Sequence, residues 1–175
     1  MRIPVANLRP LLAAAEPQWR ANLDALFAAG QFILGPQVAA FEREFAEATG
    51  AGFTVGVGNG TDAIALALRD AGVRGEVLTS ALTAPFTATA IRAAGCQPRF
   101  VDVDPGDLQM EVHDLAARAS GRTRGIVAVH LYGQPCHIAS TAAVCRMHDA
   151  VLIQDACQAH GARSGVRPLT ELSRY

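Results

Sequence analysis

Phe53-Thr54-Val55-Gly56-Val57, Glu76-Val77-Leu78-Thr79-Ser80, Pro98-Arg99-Phe100-Val101-Asp102, Ile126-Val127-Ala128-Val129-His130 and Val151-Leu152-Ile153-Gln154-Asp155 are five short apolar runs. Their length and β-branched content read as strands. Between them lie helical patterns at Thr61–Ala71, Pro85–Ala94, Val112–Ala119 and Ile138–His148, the first two closed by Gly72 and Gly95. Strands alternating with helices predict an α/β fold: a three-layer sandwich whose largely parallel sheet is buried on both faces.

Upstream, residues 1–50 read as a helical segment. Pro17 to Ala29 places Trp19, Leu23, Leu26 and Phe27 on one face, and Gly30 stops the run. Pro36 suits a first helical turn, Val38, Phe41 and Phe45 follow at helical spacing, and Gly50 ends the segment. Downstream of Asp155, twenty residues containing Gly161, Gly165 and Pro168 show neither strand nor helix pattern. They offer little to cover the sheet or extend it, so an open edge or face, and with it association or loose packing, is expected.

Composition bounds the function. The 175 residues are 50% hydrophobic and 18% charged, with net charge -1, which excludes disorder and leaves no electrostatic footprint for nucleic acid. The uncharged stretch Gly125 to Val144 contains His130, Gln134, Pro135, His137 and Ser140, which argues against a membrane helix. The start, Met1-Arg2-Ile3-Pro4, does not lead into a secretory signal. Cys96, Cys136, Cys145 and Cys157 are scattered, as expected of reduced thiols in a cytoplasm. All 15 residues counted as Lys+Arg are Arg. The chain therefore has no side-chain amine, a bias that base composition of the source genome also explains.

Three segments fall where a doubly wound sheet binds ligands, beyond the carboxyl ends of its strands. Gly58-Asn59-Gly60-Thr61-Asp62 offers small residues, free helix-start N–H groups and the Thr61 hydroxyl, which suit a phosphate. It is neither a Walker A loop nor GxGxxG, and taken alone it reads better as an ordinary turn capped by Asn59 or Thr61. Leu82-Thr83-Ala84-Pro85-Phe86-Thr87 places an aromatic ring at the sheet edge, for a flat ligand or for the core. Gln154-Asp155-Ala156-Cys157-Gln158-Ala159-His160 places a carboxylate where a protonated ring nitrogen or a turn would satisfy it. Cys145-x2-His148 and Cys157-x2-His160, with Cys136-His137 nearby, have zinc-type residues, but the first pair falls on a helix with an apolar face in a core-rich chain, so no metal site is expected.

Taken in order, these segments resemble the DegT/StrS family of PLP-dependent nucleotide-sugar aminotransferases, within fold-type I. Gln31-Phe32-Ile33-Leu34-Gly35-Pro36, Gly58 to Ala63, Thr83 to Ala90, Phe100 to Pro105, Val129 to Pro135 and Asp155 to Ala162 carry the resemblance, which runs from Ile3 to about Gly165. It implies pyridoxal 5′-phosphate as cofactor, with Gly60 and Thr61 on its phosphate, Phe86 stacked on its ring, Asp155 on its pyridinium nitrogen and Gln158 on its phenolic oxygen. It implies a nucleotide-sugar substrate of the kind used in polysaccharide biosynthesis, an amino donor such as glutamate, and a homodimer. His160 has a family-like position with no chemical step assigned.

Two departures shape the expectation. The family's Schiff-base lysine has no counterpart here, and Ser173 does not sit in the context of the family's phosphate-binding serine. The chain is therefore expected to be the N-terminal part of such an enzyme. Residues 51–175 would form an incomplete, partial PLP-binding large domain, the small domain would be absent, and the chain would be inactive alone. The competing expectations are a non-catalytic or regulatory remnant that binds PLP, pyridoxamine 5′-phosphate or a nucleotide sugar reversibly, and a pseudogene product with no stable fold.

Overall fold

The computed structural model describes Pro4 and residues 7–172. Ile3, at the start of the resemblance, and Ser173 lie outside the described residues. The chain divides into two compact units between Phe41 and Glu42.

In the first unit, α1 (Arg9–Ala29) begins eight residues before the start read from the sequence. Pro17, taken there as a helix opening, lies inside the helix. Leu11, Leu12 and the alanines at 13–15 are strong helix formers and carry the helix through a residue that lacks an N–H. Gly30 ends it at φ 65°, its N–H donating to Leu26 O at 3.0 Å. α2 (Pro36–Thr49) has the expected bounds and spans the division between the units.

The second unit holds the sheet. β1 (Glu76–Ser80), β2 (Gln97–Val101), β3 (Thr123–Val129) and β4 (Val151–Asp155) lie in the order β2-β1-β3-β4, every pairing parallel. Alternate residues feed opposite faces. Val77, Val127 and Ile153 pack with Ile64, Ala65 and Leu68 of α3 (Gly60–Asp70) and with Ala90 and Ile91 of α4 (Pro85–Ala93). Leu78, Val101 and Ile126 pack with Leu115 of α5 (Val112–Arg118) and with Val144 and Cys145 of α6 (Ile138–His148). The three layers expected from the sequence are therefore present.

Two expectations fail. Phe53 to Val57 is not a strand. Phe53, Val55 and Val57 are exposed, and the segment is tied instead to α2: the Thr54 hydroxyl donates to Glu42 O at 2.5 Å, and Gly56 N to Glu42 Oε1 at 2.7 Å. Strand-like composition does not make a strand where no neighbour supplies a ladder. Conversely, the segment after Asp155 is not featureless. Arg163–Ser164 and Arg167–Pro168 pair antiparallel as β5 and β6 around Gly165, at φ 63°, and a 3-10 turn at Leu169–Glu171 buries Leu169.

Candidate functional site

The carboxyl end of β4 and the N-termini of α3 and α4 border one cavity of about 620 Å³. That volume is in the range of small-molecule sites. Four of the five residues singled out from the sequence, Gly60, Thr61, Phe86 and Asp155, line it, together with Thr87 and Cys157.

At the start of α3 the cap is Asn59. Its backbone is extended, its Oδ1 accepts from Asp62 N at 2.9 Å, and its Nδ2 donates to Asp62 Oδ2 at 2.9 Å. The reciprocal arrangement resembles a capping box. With Asn59 as cap, the Thr61 hydroxyl makes no hydrogen bond among the described residues, and helix geometry leaves the Gly60 and Thr61 amides without an intrahelical acceptor. Gly60 packs closely on Cys157: a Cβ there would sit 3.0 Å from Sγ, so the sulfur would have to give way by a few tenths of an ångström.

At the start of α4, Pro85 takes the first turn and Phe86 follows it 64% exposed. A core role for Phe86 is thereby excluded. Thr87, next in sequence, is buried. Its hydroxyl donates to Asp155 Oδ2 at 3.3 Å and lies 3.1 Å from the Thr83 hydroxyl. Asp155 Oδ1 accepts from Cys157 N at 3.2 Å. The Cys157 thiol is a third hydrogen-bond partner of this carboxylate, and with about four lone-pair sites on its two oxygens it keeps room for a ligand.

Cys157 is exposed, whereas Cys96, Cys136 and Cys145 are buried. Partial burial, then a hydrogen bond with Asp155 and the Asp155 charge, push the Cys157 thiol up to about 11. It is a protonated wall of the cavity at neutral pH, not a nucleophile. Among the described residues no three of His, Cys, Asp and Glu converge as metal ligands would. His160 is turned to packing: its ring meets Phe45 edge-on, with centroids 5.4 Å apart.

Gln158 does not line the cavity. Its Oε1 accepts from Tyr132 N at 2.7 Å, beneath a turn in which Tyr132 and Gly133 both have positive φ. A Cβ on Gly133 would lie 3.0 Å from Gln158 O. The sequence reading quoted Thr87 only within its segment and Cys157 only as a zinc-type residue, and gave neither a place at this cavity. It also passed over His130, which is fully buried. The Cys136 N–H donates to its Nδ1 at 3.0 Å, so its Nε2–H donates to Gln154 Oε1 at 3.0 Å, and Gln154 Nε2 donates in turn to Leu169 O at 2.8 Å. Burial holds the His130 imidazole below its ordinary range.

The profile of the DegT/DnrJ/EryC1/StrS aminotransferase family matches residues 15–174. The chain belongs to this family. The Pleiotropic regulatory protein of Geobacillus stearothermophilus is 37% identical over 174 residues, which are 98% of this DegT/DnrJ/EryC1/StrS chain and 47% of the relative. A dTDP-3-amino-3,4,6-trideoxy-alpha-D-glucose transaminase of Micromonospora megalomicea subsp. nigra is 42% identical over 140 residues, 79% of this chain and 37% of the relative. The crystal structure of S. venezuelae DesV superposes with a TM-score of 0.91 at 30% identity, over 96% of this chain and 46% of DesV. The chain spans about half the length of the curated relatives it matches, or less. Its layers are those of part of a fold-type I aminotransferase.

The cavity's chemistry fits the cofactor of such enzymes. Uncommitted amides and a hydroxyl at a helix start suit a phosphate. A carboxylate oriented by protein donors on both oxygens suits a protonated ring nitrogen, and an exposed phenyl ring suits a flat heterocycle.

Proposed function

We propose that this chain is the cofactor-holding part of a PLP-dependent aminotransferase acting on a keto sugar linked to a nucleotide. Gly60 and Thr61 would hold the phosphate, Phe86 would stack on the ring, Asp155 would keep the ring nitrogen protonated, and Gln158, outside the cavity lining with its Oε1 held by Tyr132 N, would turn its remaining amide N–H groups toward the phenolic oxygen. When bound, the cofactor supplies an electron sink for bond breaking at the amino-bearing carbon. The chain's own residues bind and orient it. None of them is an amine, so covalent attachment and amine-mediated proton transfer are assigned outside these 175 residues. The amino donor, such as glutamate, the nucleotide-sugar acceptor and a homodimer belong to the same proposal, as does a cytoplasmic setting. No helix among the described residues is long and apolar enough to cross a membrane.

One observation carries the reading: the carboxylate, the ring and the free helix start, far apart in sequence, border the same cavity. The test is calorimetric titration with pyridoxamine 5′-phosphate (PMP). Replacing Asp155 by Ala removes a charge-assisted hydrogen bond of about 1.5–3 kcal/mol, so affinity should fall roughly ten- to hundredfold. Equal affinities in the two proteins would remove Asp155 from the site and refute the proposal.

A further inference from the structure

The helix α4 carries two threonines whose hydroxyls behave differently. The Thr89 hydroxyl donates to Pro85 O at 3.1 Å, one turn back, as helical threonines commonly do. The Thr87 hydroxyl leaves its helix and crosses to β4, where it donates to Asp155 Oδ2 at 3.3 Å. Thr87 is 1% exposed, so this hydroxyl is not satisfied by bulk water. A hydroxyl has one proton. Because Thr87 gives its proton to an acceptor-only carboxylate, the contact of 3.1 Å between the Thr83 and Thr87 hydroxyls must run from Thr83 as donor to Thr87 as acceptor. The chain of donors is directed: Thr83 to Thr87 to Asp155. The other carboxylate oxygen is held by the Cys157 amide at 3.2 Å. The Cys157 thiol also hydrogen-bonds this carboxylate, so partners from α4 and from the turn after β4 together fix the rotation of the carboxylate about its last bond.

We propose that Thr87, oriented by Thr83, is a positioning residue that fixes the Asp155 carboxylate in the plane needed to receive a protonated ring nitrogen. The inference rests on the cofactor reading given above. A valine has nearly the shape of threonine and keeps the helix packing, but it leaves Oδ2 without a donor from α4. The carboxylate then gains rotational freedom, which must be lost again on binding. Thr87 acts only through Asp155. Its removal should therefore weaken ligands with a ring nitrogen and leave untouched ligands that offer only the phosphate and a flat ring.

The experiment is calorimetric titration of the 175-residue chain with PMP and with benzyl phosphate, which lacks the ring nitrogen. Thr87→Val should lose about tenfold in PMP affinity, the effect of one net hydrogen bond to a charged group. Thr87→Ser should retain the affinity of the parent. Benzyl phosphate should bind all three alike. In an Asp155→Asn background, Thr87→Val should cost nothing further, because the group it positions is already neutralised. A purely structural role would weaken both ligands and persist in that background. If Asp155→Asn weakens PMP but Thr87→Val does not, or if Thr87→Val weakens both ligands equally, the positioning role is overturned and the cofactor reading stands. If the parent chain fails to bind PMP, or Asp155→Asn binds it as well as the parent does, the cofactor reading falls and this inference with it.

Discussion

Gly60→Ala brings two opposed effects to one atom. Gly60 opens α3, and its φ lies outside the left-handed region, so an alanine backbone fits there. Replacing glycine at a compatible position stabilises by about 0.4–1 kcal/mol, through lost freedom of the unfolded chain. Against this, the new methyl would lie 3.0 Å from Cys157 Sγ. Forcing extra volume against a sulfur that its hydrogen bond to Asp155 holds in place costs about 1–3 kcal/mol. The second effect is the larger, so Gly60→Ala alone should destabilise by roughly 0–2.5 kcal/mol. In a Cys157→Ala background the sulfur is gone, and the same change should stabilise by about 0.4–1 kcal/mol. Urea denaturation of the four proteins closes a double-mutant cycle, with an expected coupling of about 1–3 kcal/mol. Additivity within about 0.5 kcal/mol would show that the contact is not tight, and the argument for a small residue at this position would fail. Ligand binding separates from stability in the same four proteins. The methyl also enters the cavity wall, so PMP affinity should fall in both proteins carrying Gly60→Ala, including the one in which stability is restored.

Two further outcomes follow from the same geometry. Phe86→Ala should weaken PMP by roughly two- to tenfold, less than Asp155→Ala, because ring stacking contributes about 0.5–1.5 kcal/mol; since Phe86 is 64% exposed, the thermal midpoint should barely move, and a large drop would show that it packs in a core. Burial lowers the His130 pKa below 6.5, so the unfolded chain takes up a proton at higher pH than the folded one. Stability is then full above about pH 6.5 and falls as pH drops through the folded value. Melting should be weaker at about pH 5 than at about pH 7.5, and His130→Gln should shrink that difference; an unchanged difference would show that another group titrates.

The sheet was legible because buried parallel strands are near-continuous apolar runs, as in Val77-Leu78 and Ile126-Val127-Ala128-Val129. Phe53 to Val57 carries the same residue types yet remains coil, because periodicity reports on side chains while a strand also needs a neighbour to complete its ladder. The early start of α1 was hidden by Pro17, whose local cost is outweighed by the alanines and leucines before it. Asp155 and Phe86 could be found because topology alone places strand ends and helix starts at a ligand crevice. Thr87 could not, since a helical threonine usually bonds its own helix, and only the fold brings residues 87 and 155 together. The Cys157-x2-His160 pair illustrates the converse. Its spacing suits metal ligands, but Cys157 borders the cavity at Gly60 while His160 packs on Phe45.

The absence of lysine has a consequence for selectivity. The aldehyde and amine forms of the cofactor, PLP and PMP, share the phosphate, the ring, the phenolic oxygen and the ring nitrogen. They differ only at the carbon where a lysine amine would attach. Every contact assigned to this chain falls on the shared part: the Gly60 and Thr61 donors, the Phe86 ring, the Asp155 carboxylate and the Gln158 amide. A pocket that recognises only shared groups has no differential interaction with which to separate the two forms, and specificity is a difference of affinities. The two should therefore bind the 175-residue chain within about tenfold of each other, a difference of roughly 1.4 kcal/mol or less. Borohydride reduction of the PLP-loaded chain, followed by mass spectrometry, should leave no label on any residue inside the chain, the N-terminal amine being the one reactive amine it carries. PLP binding tighter than PMP by a hundredfold would show that a group on this chain engages the aldehyde, and a stoichiometric internal adduct would locate it. Either result would refute the assignment of a wholly non-covalent site.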